Sequence, residues 1–253
     1  MKLNLENKKI LITGASKGIG KAIALGFAIE NTDIVAIART EDLLKELENE
    51  CLAKGAKSFA YHNVDLMEVN NYEFAEFLFC KYGHFDVIIH CMGGSLTSRD
   101  ICGGYKDYEH ALRFNALCGI DMNSFFIKKM LEDNKTARII HISSISALAL
   151  RGNPLYASAK AYLNAYVTSV GRQVAAKGIA INSVMPGAVA FEDSYWDSLI
   201  KEKAPKTTDF LTHHQAINRF GTTEEIANVV VFLASEKASF IVASNIPVDG
   251  GSM

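Results

Sequence analysis

The sequence predicts an α/β fold, a single doubly wound parallel sheet with helices on both faces, and three observations predict it. Short continuous apolar runs, of the kind buried on both sides, alternate with amphipathic helical stretches along most of the chain. The first run, Lys9-Ile10-Leu11-Ile12, stops in a glycine-rich turn, Thr13-Gly14-Ala15-Ser16-Lys17-Gly18-Ile19-Gly20, and restarts as a helix. The length, 253 residues with 49% hydrophobic and 21% charged, suits one domain, 1–253, with a sizeable core.

The elements follow in order. A helix over 18–30 leads to the run Asp33-Ile34-Val35-Ala36-Ile37-Ala38, too short and too apolar for anything but a buried strand. Residues 41–54 form a charged amphipathic helix with Leu43, Leu44, Leu47 and Leu52 inward, 58–62 a strand, and 68–82 an aromatic-rich helix. A fourth strand, 85–90, ends in the loop Met92-Gly93-Gly94, and a long helical pattern covers 105–131. The strand 138–142 stops at Ser143-Ser144, and Pro154 opens a helix to Lys177 with Ala157, Ala159, Ala161 and Ala165 along it. The strand 179–184 runs into Met185-Pro186-Gly187. Residues 188–220 break the rhythm and read as an irregular lid over the site. A helix over 223–234 and a strand over 240–248 close the chain at Asp249-Gly250-Gly251.

Several classes of function are excluded at this level. A net charge of -2 and a pI near 6.4 give no electrostatic case for nucleic acid or an anionic membrane. The five cysteines are odd in number and lack C-x-x-C pairing, which points to reduced, mainly buried thiols. The first residues show no signal-type apolar stretch, and no uncharged run approaches the roughly 20 residues of a membrane span, so a cytoplasmic protein is expected. His213-His214 are adjacent and cannot share a helix face, so no metal site is expected.

The glycine turn carries the first chemical signal. Glycines allow positive φ and close backbone approach, while the helix N-terminus that follows offers unpaired N–H groups and its dipole to an anion. A nucleotide-triphosphate loop would need a hydroxyl after Gly20-Lys21, where Ala22 stands, so a dinucleotide pyrophosphate fits better. In a doubly wound sheet ligands lie outside the carboxyl ends of the strands, so Gly14, Ala38-Arg39, Val64-Asp65, residues 91–94, Ser143-Ser144 and Pro186-Gly187 should line one crevice. Tyr156 and Lys160 lie four apart on the helix opened by Pro154, on one face of it. A phenol can exchange protons near neutrality only beside a cation, and Lys160 is the candidate.

These motifs together resemble the short-chain dehydrogenase/reductase family, over nearly the whole chain. The resemblance rests on Thr13-Gly14-x-x-x-Gly18-x-Gly20, Asp65, Asn115, the serine pair, Tyr156-x-x-x-Lys160, Pro186-Gly187 and Asp249-Gly250-Gly251. It implies a Rossmann-like fold and an NAD(P)-dependent oxidoreductase acting on a carbonyl or secondary alcohol. In it Tyr156 exchanges a proton with the substrate oxygen, Lys160 lowers the tyrosine pKa and bonds the nicotinamide ribose, and Asn115 holds a relay water. Ser144 bonds the substrate oxygen, with Ser143 as the alternative, since they precede Tyr156 by 12 and 13 residues. Cofactor contacts are implied for Gly14, Ser16, Lys17, Gly18, Ile19, Gly20, Arg39, Val64, Asp65, Gly93, Tyr156, Lys160, Pro186, Gly187 and, through its backbone, Val189.

Cofactor choice follows from charge. Relatives that use NAD place an acid at the end of the second strand; here Ala38 is followed by Arg39, and Lys17 adds a second cation, so NADP(H) is favoured over NAD(H). Two stretches depart from the family: His90-Cys91-Met92-Gly93 replaces the usual Asn-Asn-Ala-Gly, with His90 read as a satisfied core histidine, and no threonine follows Pro186-Gly187 closely. These departures point to a specialised substrate such as a sugar derivative. A 3-oxoacyl carrier-protein reductase is the alternative within the class, with Lys135 and Lys177 standing where such enzymes carry basic residues. A nucleotide-binding sensor or scaffold without turnover is the alternative outside it. Enoyl reduction is disfavoured because relatives that perform it space Tyr and Lys more widely. The resemblance also implies a homo-oligomer, dimer or tetramer, through the helices over 105–131 and 154–177.

Overall fold

The computed structural model describes residues 2–95, 102–150 and 152–252. Among them, strands β1 (Lys9–Thr13), β2 (Asp33–Ala38), β3 (Ser58–Asn63), β4 (Val87–His90), β5 (Ala137–Ile142), β6 (Ile179–Pro186) and β7 (Asn245–Val248) form one parallel sheet, ordered β3-β2-β1-β4-β5-β6-β7. The helices are α1 (Gly18–Ile29), α2 (Glu41–Ala53), α3 (Asn71–Tyr82), α4 (Tyr105–Leu112), α5 (Cys118–Glu132), α6 (Ser146–Ala149), α7 (Pro154–Val174), α8 (Tyr195–Lys201), α9 (Pro205–His214) and α10 (Thr223–Ala234).

The two-residue alternation of a strand sorts the core. Ile10, Ile12, Ile89 and Ile140 face one side and pack with Phe27 of α1, Leu44 and Leu47 of α2 and Val230 of α10. Leu11, Ile88, Ile139 and Ile181 face the other and pack with Leu78 of α3, Phe126 of α5 and Val167 of α7. Burying these side chains, each contributing roughly 1.5–3 kcal/mol, fixes both layers to the sheet. The order of strands reverses at β1, which lies between β2 and β4, and the gap left there opens the crevice.

The glycine turn is shaped by two close approaches. Gly14 has φ +68°, and a Cβ on it would meet Met92 N at 2.8 Å. A Cβ on Gly20 would stand 2.1 Å from the Gly14 carbonyl oxygen, so α1 can begin directly beneath the turn only with glycine there.

Several elements depart from the sequence-based expectation. The long helix over 105–131 is continuous but is interrupted by a π-helical turn, Arg113–Leu117, that carries Asn115. The third helix starts only at Asn71, because the Asn70 side chain caps it by accepting from the N–H groups of Tyr72 and Glu73. Leu52 is exposed, since Leu44, Leu47 and Cys51 already supply the buried face of α2. Of the cysteines, Cys51 and Cys118 are buried, but Cys80 and Cys102 are exposed. The closing strand is Asn245–Val248 alone, because Ala243 takes φ +53° and Phe240 turns out to solvent. Residues 188–220 are not irregular throughout: Ser194 caps α8 and Pro205 opens α9.

The base of that segment is pinned shut. Gly221 N donates to Ala188 O at 2.9 Å, and Ala190 N donates to Gly221 O at 3.1 Å. The closing glycines hold the stretch after α9, with Ala216 N on Gly251 O at 3.1 Å and Ile217 N on Gly250 O at 3.2 Å. A Cβ on Gly250 would meet Gln215 Nε2 at 2.4 Å, which is why this seam needs glycine.

Gly20→Ala is expected to lower stability by about 1–3 kcal/mol through forced overpacking. Thermal denaturation measures it; an unchanged melting temperature would contradict the packing described.

Candidate active site

The carboxyl ends of β1, β2, β4, β5 and β6 enclose an elongated crevice of about 570 Å³. At one end lies the glycine turn. Lys17 at the α1 N-cap makes no capping side-chain bond, and the first turn of α1 carries no acid, so the helix N-terminus faces the crevice with its N–H groups and dipole unanswered by a side chain. That arrangement suits a pyrophosphate.

The middle of the crevice is built from β5 and α7. Pro154 occupies the first turn of α7, Asn153 caps it by accepting from Leu155 N at 2.9 Å, and the helix then presents Tyr156 and Lys160 on one face. Tyr156 hydrogen-bonds with Ser144, and burial pushes its phenol above the ordinary value. The Ser144 hydroxyl also accepts from Ser146 N at 3.1 Å, while Ser143, 3% exposed, donates to the Lys160 carbonyl at 3.4 Å. Of the pair, then, Ser144 is the one placed against the tyrosine.

Lys160 is 2% exposed, and its ammonium donates to Ile142 O at 2.8 Å and to Asn115 O at 3.4 Å. Its Nζ stands 5.7 Å from the Tyr156 ring centroid. Burial pushes it down to about 8 from 10.5. In the chain by itself the Tyr156 phenol is raised by desolvation, with the Ser144 hydrogen bond acting against that rise.

Most residues singled out from sequence line this crevice, from Gly14, Ser16, Lys17, Ile19 and Gly20 through Arg39, Val64 and Gly93 to Pro186, Gly187 and Val189. Three do not. Gly18 lies under the Phe191 ring, which its missing Cβ admits; a Cβ there would be 2.6 Å from the ring. Asp65 accepts from Met67 N at 2.9 Å and pairs with Arg39 at 3.7 Å, just outside the wall made by Val64 and Leu66. Asn115 turns its side chain to Gly94, accepting from its N–H at 2.9 Å and donating to its carbonyl at 3.2 Å, and so holds the loop after β4.

Sequence reasoning missed Thr40 and Phe114 as wall residues. Thr40 sits at the α2 N-cap without a capping side-chain bond, and a threonine directly before Glu41-Asp42 is the cap signal that its sequence carries. Phe114 is carried into the wall by the π turn, which no periodicity announces. The mouth beyond Ser144 is apolar, with Met92, Phe114, Phe191 and Trp196. Lys135 and Lys177 are exposed just before β5 and β6, at the amino end of the sheet, whereas the crevice opens at its carboxyl end. Among the described residues no cluster of three or more metal-ligating side chains occurs, and no helix is long and apolar enough to cross a membrane.

A family model described as Enoyl-(Acyl carrier protein) reductase matches residues 14–253, nearly the whole chain. The chain is a short-chain dehydrogenase/reductase. Members similar to it include the 3-oxoacyl-(acyl-carrier-protein) reductase of Rickettsia felis, 31% identical over 256 residues, which cover 99% of each chain. Among solved members, L-sorbose reductase from Gluconobacter frateurii, complexed with NADPH and L-sorbose, superimposes with a TM-score of 0.90 at 27% identity, covering 100% of this chain and 98% of that one. A 7α-hydroxysteroid dehydrogenase complexed with NADH and 7-oxo glycochenodeoxycholic acid gives 0.88 at 26%, covering 100% and 96%. Short-chain dehydrogenases/reductases are enzymes, and this one is an NAD(P)-dependent oxidoreductase of carbonyls or alcohols.

Because Lys160 titrates near 8 when folded and 10.5 when free, the unfolded chain binds the extra proton between those values and stability must rise with pH across that window. At pH 7 the buried ammonium is a cost. Lys160→Met is expected to abolish turnover yet raise stability at pH 7 by roughly 1–3 kcal/mol, and to flatten the rise between pH 8 and 10.5. Urea denaturation of both proteins across that range measures it; a less stable variant at pH 7 would contradict the assigned burial.

Proposed function

We propose that this short-chain dehydrogenase/reductase is NADP(H)-dependent and interconverts a ketone and a secondary alcohol, with Tyr156 as proton donor and acceptor. The observation that carries the reading is the contiguity of Ser144, Tyr156 and Lys160 in the middle of a crevice with a glycine cradle at one end. The residues present fit the cofactor: a Cβ at Gly14 or Gly20 would fill the cradle, and the start of α1 is free of acids. Gly14, Ser16, Ile19 and Gly20 would hold the pyrophosphate, Val64 and Asp65 the adenine side, and Gly93, Pro186, Gly187 and Val189 the nicotinamide side. When bound, the nicotinamide supplies or accepts the hydride.

The chain's own groups do the rest. Ser144 orients the substrate oxygen, Tyr156 exchanges the proton with it, and the Lys160 ammonium biases the phenol toward giving that proton up. Asn115 keeps the loop after β4 and, through its own carbonyl, the ammonium in place. Phe191 over Gly18 and the Lys17–Asp193 ion pair at 3.2 Å tie residues 188–220 to the cradle, which supports their reading as a lid. Substrate choice is read at Met92, Phe114, Phe191 and Trp196, whose apolar surfaces favour a ketone with an apolar body. The four-residue Tyr–Lys spacing favours carbonyl over enoyl reduction, and 3-oxoacyl thioesters stay within the reading through the carrier-protein relatives.

Arg39 carries the cofactor preference. It directly follows β2, is 67% exposed at its side chain, and is held to Asp65 by a 3.7 Å ion pair, which is weak at such exposure. With Thr40 beside it, it suits a 2'-phosphate.

Two measurements test the reading. Tyr156→Phe should lower kcat/KM for ketone reduction by about 10²–10⁴-fold while NADPH affinity by fluorescence titration stays within a few-fold. Retained turnover across 3-oxoacyl, sugar and steroid ketones would remove the tyrosine from the mechanism. Arg39→Asp should reduce the NADPH-to-NADH ratio of kcat/KM by about 10–100-fold, the value of a lost charge-assisted bond; a ratio that stays put places the preference elsewhere.

A further inference from the structure

One buried polar cluster takes no part in the chemistry above. His90 ends β4 and His141 is its register partner on β5; the rings stack with centroids 4.8 Å apart and 26° between planes. Asn123 of α5 bridges them: its Oδ1 lies 2.8 Å from His90 Nε2 and its Nδ2 lies 2.9 Å from His141 Nε2. The same Nδ2 donates to the Tyr166 hydroxyl at 3.4 Å. All three bridging residues are buried, His90 5%, Asn123 0% and His141 1% exposed.

The amide dictates the tautomers. Oδ1 can only accept, so His90 carries its proton on Nε2; Nδ2 can only donate, so His141 Nε2 is bare and its proton sits on Nδ1. Desolvation holds both rings neutral, His90 at about 4 and His141 well below its ordinary value. Among the described residues His90 Nδ1 has no hydrogen-bond partner, and the ring borders a small cavity that Asn115 also lines. The expectation of a satisfied core histidine is thus half met.

What the cluster joins is more telling than what it contains. Lys160 gives its protons to two carbonyls from different elements, Ile142 on β5 and Asn115 in the π turn. Ile142 follows His141 directly, and Asn123 lies on the helix that continues from the π turn. On the third side, a Cβ at Gly119, one turn after Asn115, would stand 3.0 Å from the His90 ring, so the helix carries glycine where the histidine leans on it. For stability alone a buried polar bridge is at best neutral against apolar packing of equal volume. Its effect is geometric.

We propose that the His90–Asn123–His141 bridge is a positioning device for Lys160: by cross-linking β4, β5 and the helix after the π turn, it sets the separation of the two carbonyls that receive the ammonium. The inference rests on the Tyr156–Lys160 reading given above. With the bridge broken the carbonyls drift, the ammonium moves away from Tyr156, and the phenolate loses support. The other titratable groups facing Lys160 are Cys91, just after β4, and His141 itself, both neutral, so no second cation compensates.

His90→Leu removes the donor at similar bulk, and His90→Gln restores an N–H at the end of the side chain. In His90→Leu, kcat should fall about ten-fold with KM within about two-fold, and the pKa governing the pH profile of kcat/KM should rise by about half a unit or more. His90→Gln should bring both back toward the parent. A folded His90→Leu with the parent's pH profile, or a His90→Gln shifted as far as His90→Leu, would overturn the proposal. ¹⁵N spectra of the parent's histidine rings decide the matter without a variant: opposite neutral tautomers for His90 and His141 from pH 6 to 8 are expected, and equal tautomers or a protonated ring would overturn it. Turnover persisting in Tyr156→Phe would instead remove the underlying reading, and the ring spectra would be untouched by that result.

Discussion

A lysine ammonium sealed from water must give its protons to something, and in this protein the acceptors are two backbone carbonyls, Ile142 at the end of β5 and Asn115 in the π turn. Neither is available in ordinary secondary structure to a side chain arriving from α7. The first is free because the strand has just ended; the second is reached because the helix widens by one residue at Arg113–Leu117. Desolvation without those acceptors would drive Lys160 to its neutral form, and the phenol four residues away would lose its cation. The end of β5 and the π turn together meet that one requirement.

The cofactor end is governed by a different constraint, that of close approach. The glycine turn passes under the loop after β4 and over the start of α1 with distances that leave no room for a Cβ at Gly14 or Gly20. The same compression leaves the α1 N-terminus bare of capping side chains, so a helix end that would ordinarily be satisfied internally faces outward. The two related structures bound NADPH in one case and NADH in the other at similar overlap, which shows that the fold as a whole does not select between them. In the reading proposed above selection is local, and Arg39 is the residue that would exert it.

Much of this was legible in the residues. The alternation of apolar runs and amphipathic stretches specifies the parallel sheet, because a strand buried on both faces leaves no other pattern, and the crevice follows from topology. Tyr156 and Lys160 share a face by helical spacing. The rest was hidden for identifiable reasons. A π turn costs no change in composition, so residues 113–117 read as ordinary helix, and Asn115 stood out only through the family resemblance. The stacking of His90 on His141 depends on register between β4 and β5, which no local window contains. The helices within 188–220 are announced only by Ser194 and Pro205, and the sign of the Tyr156 shift depends on burial rather than on proximity of the lysine.

The seam formed by Ala188, Ala190 and Gly221, together with the hold of Gly250 and Gly251 on residues 216–217, brings the two ends of the 191–214 excursion side by side on the sheet. Loop-closure entropy depends only weakly on length once the ends are fixed. The excursion can therefore be lengthened, shortened or rewritten at little expense to the framework, and a chain built this way can change what it admits while leaving the hydride and proton machinery alone. In the reading proposed above, Phe191 and Trp196 belong to this exchangeable cassette, while Met92 and Phe114 stay with the framework.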